Sequence, residues 1–127
     1  MSMRPQPLIC VPDVQRASRW YQQVLGATSE HGGSEYQRLH VDGELILQLH
    51  DLEVDHHHDP LGDPAKPLGN GVAVWFATDD FDAAVVRIRA AEAHIVTDVH
   101  VNPNAQQREI WLRDLDGYLV VIAERGA

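Results

Sequence analysis

Cysteine, basic residues and long apolar runs are all scarce in this chain, and each shortage closes a class of function. A single cysteine, Cys10, among 127 residues leaves no intrachain disulfide to form, so a disulfide-stapled extracellular scaffold is excluded. Ten basic residues against nineteen acidic ones give a formal charge of −9. That balance repels phosphate backbones and anionic lipid, and no nucleic-acid partner is expected. The opening Met1 to Gln6 carries no apolar core of a secretion signal, and no run approaches the roughly 18 apolar residues that cross a bilayer. The expectation is a cytoplasmic protein without a membrane partner. With 44% apolar residues, the chain has material for one compact domain with a substantial core.

What is present is a doubled unit. The first half opens on the apolar run Leu8 to Pro12, reaches Asp13, and continues with Val14, Ala17, Tyr21, Val24 and Leu25 at helical spacing until Gly26. The second opens on Val72 to Thr78, reaches Asp79-Asp80, and repeats the stripe with Phe81, Ala84, Val85, Ile88 and Ala91. Asp13 and Asp80 read as helix N-caps, where a carboxylate accepts orphan amide hydrogens and faces the positive helix end. Each helix is followed by two strand candidates joined at an Asp-Gly turn: Glu35 to Val41 and Glu44 to His50 about Asp42-Gly43, then Glu109 to Arg113 and Tyr118 to Glu124 about Leu115-Asp116-Gly117. Thr28 to His31 and His94 to Val99 supply one further strand to each half. The expected architecture is α+β, two βαβββ modules over residues 6–50 and 71–124 whose curved mixed β-sheets enclose a cavity. Between them residues 51–70, rich in Asp, His, Pro and Gly, read as a linker or lid loop.

Tandem modules of this kind resemble the vicinal oxygen chelate superfamily, which includes glyoxalases, bleomycin-resistance proteins, fosfomycin-resistance enzymes and extradiol dioxygenases. The residues that carry the resemblance are Val11-Pro12-Asp13 with Trp20-Tyr21 and Leu25-Gly26-Ala27, the run Trp75 to Ala84, and the run Trp111 to Tyr118; it extends from Gln6 to Glu124. The resemblance implies the fold more firmly than any activity, since this fold hosts isomerases, dioxygenases, transferases and drug-sequestering proteins. In metal-dependent relatives two ligands come from the first strands of the modules and two from the last. The matching positions here are Gln6, Ala73, Gln48 and Val121. Two neutral amides and two hydrocarbons are a poor donor set for dehydrating a dication, so no cofactor is expected at these four positions.

Strand alternation assigns the cavity wall: Gln48 brings Ile46 and His50 to the concave side and sends Leu45, Leu47 and Leu49 to the helices. Ala73 likewise brings Trp75, and Glu109, Trp111 and Arg113 share one side of their strand. Aromatic surface with a few polar groups suits a small organic ligand, and Gln6, Gln48, His50, Trp75, Glu109 and Trp111 are the candidate ligand-binding residues. Each has a plainer reading. The tryptophans serve equally as core, Glu109 beside Arg108 as a surface pair, the glutamines as partners of one another or of water, and Cys10 as a buried inert thiol. The run Asp55-His56-His57-His58-Asp59 is a solvated linker, a titratable lid, or part of a displaced divalent-metal site with His50 and Glu109.

Two functions follow from the resemblance. The first is a metal-independent small-molecule binding protein like the bleomycin-resistance proteins, paired as a homodimer. The alternative is a glyoxalase-type lyase or isomerase, or a dioxygenase-like enzyme, that uses the displaced metal site of His50, His56, His58 and Glu109. A partner module without its own ligand is a third reading.

Overall fold

The computed structural model describes residues 2–30, 32–53 and 59–126. The element order is β1 (Leu8–Val11), α1 (Val14–Leu25), β2 (Thr28–Glu30), β3 (Tyr36–Val41), β4 (Glu44–Asp51), β5 (Ala73–Thr78), α2 (Phe81–Ala90), β6 (His94–Asn102), β7 (Gln107–Arg113) and β8 (Leu119–Glu124). The chain is α+β, two consecutive βαβββ arrangements. It divides into two compact units, Met1–Gln22 with Gly26–Lys66, and Pro67–Ala127 with Gln23–Leu25. Among the described residues no helix is long and apolar enough to cross a membrane.

The first unit holds a mixed four-stranded sheet in the order β1-β4-β3-β2, with β1 parallel to β4 and the other neighbours antiparallel. Its helix begins where Asp13 accepts the Arg16 amide hydrogen at 3.0 Å and ends at Gly26, whose left-handed φ of 67° is open to glycine at little cost. The apolar stripe of α1 is buried at Val14, Ala17, Tyr21 and Val24. Asp42 and Gly43 both have positive φ, 51° and 77°, as a two-residue hairpin turn with the twist of the flanking strands requires. On β4, Leu47 and Leu49 are fully buried and alternate with Gln48 and His50, so the expected register holds.

The second unit repeats the plan in the order β5-β8-β7-β6. Asp80 caps α2 by accepting the Ala83 amide hydrogen at 3.1 Å. Phe81, Ala84 and Ile88 of α2 are buried, as are Val74, Ile110, Leu112, Val120 and Ile122 on the sheet, and α2 packs against β8. Two details differ from the local reading. Strand β6 runs on to Asn102 rather than stopping at Val99, because the turn that ends it is Pro103 to Gln106, with Gln106 at φ 59°. The Asp116-Gly117 connection is longer than a tight two-residue turn: Asp114, itself buried, accepts the amide hydrogens of Asp116 and Tyr118, both at 2.9 Å, and β8 starts at Leu119.

Candidate functional site

On the first sheet, pairing sets Leu8 and Cys10 of β1, Gln48 and His50 of β4, and Tyr36 and Arg38 of β3 on one face. The Gln48 side chain is already committed within it. Its oxygen accepts the Tyr36 hydroxyl hydrogen, and its nitrogen donates to the Gln6 carbonyl oxygen at 3.0 Å. Gln6 thus meets Gln48 through its backbone. His50 is buried, its Nδ1 lies 2.7 Å from the Asp51 carbonyl oxygen, and its ring stands edge-on to Tyr36 with centroids 6.4 Å apart. An Nδ1 hydrogen directed at that carbonyl leaves Nε2 as the basic nitrogen. Cys10 lies beside His50 in register, and burial, then the Asp51 carboxylate, push its thiol pKa up. A protonated, buried thiol is a weak nucleophile.

On the second sheet the face opposite Ile110, Leu112, Val120 and Ile122 is organised in rows across the strands. One row is Ala73, Leu119, Arg113 and His94; the next is Trp75, Val121, Trp111 and Thr97; the third is Ala77, Ala123, Glu109 and His100. Trp75 and Trp111 meet edge to face, centroids 6.0 Å apart and planes at 84°. Trp75 is 49% exposed, and Val121, between them in register, is fully buried. Two indoles flanking a valine form an apolar surface with one exposed ring.

Glu109 lies in the next row and departs from the surface pair expected of a Glu beside an Arg. It is only 2% exposed, and its carboxylate accepts hydrogens from the indole Nε1 of Trp111 at 2.9 Å and the Asn102 amide at 2.8 Å. The His100 Nε2 lies 3.7 Å away, and the other ring nitrogen, Nδ1, faces the Asp98 carbonyl oxygen at 2.8 Å. A buried carboxylate is tolerated when donors converge on it, and here those bonds also fix the plane of Trp111. Arg108, on the opposite side of the same strand, turns to the other face. It bridges Asp82 at 2.9 Å and Glu124 at 3.0 Å and lies 4.8 Å from the Phe81 ring centre. The Arg108 guanidinium, then its amide, hold the Glu124 carboxyl below its ordinary pKa.

The structure therefore brings Trp75, Trp111 and Glu109 together on one sheet, and Gln48 and His50 on the other, where Gln6, ahead of β1, reaches Gln48 through its backbone carbonyl. His56 to His58 lie outside the described residues. His100 and Asn102 were not anticipated as partners of Glu109. The signal that finds them is the opposition of β6 and β7, legible only once the extra length of β6 is known. Of the inherited coordination positions, Ala73 and Val121 carry no donor atom, and the amide of Gln48 is engaged. Among the described residues no group of three or more His, Cys, Asp and Glu side chains is placed to hold a metal ion.

Two consecutive βαβββ units, each with a mixed four-stranded sheet of the same strand order, define a small α+β fold class. The chain belongs to the Glyoxalase/Bleomycin resistance protein/Dioxygenase superfamily, whose family model matches residues 5–122. The anthracycline biosynthesis protein DnrV of Streptomyces peucetius is 30% identical over 93 residues, 67% of this chain. The match spans about a third of that relative, 34% of its length. Among solved structures, lactoylglutathione lyase from Agrobacterium tumefaciens superposes with a TM-score of 0.71 at 20% identity, covering 97% of this chain and 94% of that one. The fosfomycin resistance protein FosX from Mesorhizobium loti gives 0.68 at 15% identity, covering 99% and 94%. These likenesses establish the fold.

Proposed function

We propose that this member of the superfamily is a small-molecule binding protein that takes an aromatic ligand on the Trp75–Trp111 surface of the second sheet. It does so without a metal ion at the positions its relatives use. The observation that carries the reading is the indole pair itself, one ring half exposed and the other locked by a buried carboxylate. Covering about 100 Å² of apolar ring surface contributes on the order of 2.5 kcal/mol. A ring already held in place forfeits little conformational entropy when a ligand arrives. Superfamily relatives named for anthracycline biosynthesis and fosfomycin resistance are both named for small-molecule chemistry, which fits a ligand of that kind.

The donor chemistry supports the metal-independent half of the proposal. Alanine and valine offer no lone pair, and a glutamine whose amide is bonded on both sides must break those bonds to reach an ion. On family grounds we also read the chain as a cytoplasmic homodimer, and light scattering in solution measures the pairing. The test of the function is calorimetric titration of untagged, chelator-treated protein with planar aromatic compounds, accompanied by metal analysis of protein purified without chelator. Saturable binding that Trp111→Ala weakens at least about tenfold supports the reading. Near-stoichiometric metal, lost in His50→Ala and required for binding, replaces it with an enzyme that uses a displaced metal site.

A further inference from the structure

We infer that the ligand carries a carboxylate, and that this group seats at Arg113, in a cavity at the end of the second sheet next to the indole pair. The inference rests on the aromatic-binding reading and adds to it a chemical class. The cavity measures about 520 Å³ and is lined by Gly69, Asn70, Val72, Ala73, Leu119 and Arg113 among others, with no acidic side chain in its wall. In a chain carrying −9 formal charge, a wall whose one charged group is a guanidinium is locally inverted.

Arg113 is also under-used. It donates one N–H, to the Gly117 carbonyl oxygen at 2.9 Å, whereas Arg4, Arg89 and Arg108 each hold carboxylates. Among the described residues no carboxylate pairs with Arg113. A guanidinium has five donors in a planar fork suited to a carboxylate, so most of that fork is available to a ligand. The neighbour opposite Arg113 in register is His94, exposed and free of negative charge.

Register sets the spacing. Arg113 and Trp111 share a face two residues apart on β7, and Ala73 and Trp75 do so on β5. Two strand residues span about 7 Å. A ligand lying against the indoles with its carboxylate on the ring, or an atom or two beyond, reaches the guanidinium. Ala73 and Leu119, which share the cross-strand row of Arg113, offer no competing polar group. Because the net charge of the chain repels anions at long range, selectivity for the carboxylate is local to this arginine.

The experiment is calorimetric titration of the full chain with 2-naphthoate and with 2-naphthalenemethanol, which share the ring system and differ in charge. Expected is binding of naphthoate at least about tenfold tighter than of the alcohol, as for a hydrogen bond to a charged group. In Arg113→Gln that preference should vanish with the alcohol's affinity unchanged. Arg113→Lys, which keeps the charge and loses the fork, should retain part of it and guards against a folding artefact in the first variant. Equal affinities in the unmodified protein, or a preference that survives Arg113→Gln, overturn the inference. If the alcohol binds and Trp111→Ala abolishes that binding while no carboxylate preference appears, the aromatic site stands and the carboxylate subsite falls. If neither compound binds, both fall.

Discussion

Replacing Glu109 with glutamine separates a carboxylate that organises the indole surface from one that is merely buried. The side chain keeps its size, but one oxygen becomes an NH2 group facing either the Trp111 Nε1–H or the Asn102 amide, each of which now points at its partner at 2.9 and 2.8 Å respectively. One bond becomes a donor facing a donor, and the other loses its ionic character. With Glu109 only 2% exposed, water does not make up the loss. An unsatisfied buried donor costs about 1–3 kcal/mol. With a urea m-value of about 2 kcal/mol/M for a chain of this size, the unfolding midpoint should fall by about 0.5–1.5 M. Equilibrium urea unfolding, followed by far-ultraviolet circular dichroism, measures it. Adding Asn102→Asp restores an acceptor opposite the new NH2 group and should recover part of the midpoint. A Glu109→Gln midpoint equal to or above that of the unmodified protein would mean that desolvating the charge costs more than its bonds return, and the reasoning would fail.

Three further outcomes follow from the same structure. Gly69→Ala should destabilise by about 1–2 kcal/mol from its left-handed backbone alone, with more from crowding, since φ is 81° and an added Cβ would sit 3.1 Å from the Tyr118 Cα; urea unfolding reads this. Cys10, with its pKa raised by burial, should react with iodoacetamide at pH 8.5 far more slowly in native protein than in urea, and equal rates would contradict the account. Glu124 should titrate below its ordinary range in a carbon-detected NMR pH series and move back up in Arg108→Gln. A carboxylate lowered by folding adds stability that is complete above its unfolded pKa and fades as pH falls through its folded one, so the variant should lose less stability on acidification.

The parts of this structure that were legible in the sequence are those fixed locally. Asp42-Gly43 dictates its turn because two consecutive positive φ values admit few residues, and Asp13, Asp80 and Gly26 mark helix ends through their own side-chain and backbone chemistry. Alternation around Leu47 and Leu49 placed Gln48 and His50 on the other face because a strand has period two. Glu109 is different. Its neighbour Arg108 invites a surface ion pair, yet on a strand the two point apart, and the partners Glu109 does find depend on β6. That strand shifts register twice, between Ile95 and Thr97 and between Thr97 and His100, so no periodic reading could set His100 and Asn102 beside the carboxylate. Likewise Asp114 replaced the expected tight turn with a side-chain-organised loop, because one buried carboxylate satisfies two amides there.

Intrinsic fluorescence offers the most direct view of the central claim. Of the three tryptophans, Trp20 is 7% exposed in the core of the first unit, while Trp75 and Trp111 form the proposed ligand surface. Titrating chelator-treated protein with 2-naphthoate should quench indole emission saturably, and the response should survive Trp20→Phe but disappear in the Trp75→Phe, Trp111→Phe double variant. Quenching that appears only after a divalent metal is added, or that the double variant retains in full, would contradict a metal-independent aromatic site on the second sheet.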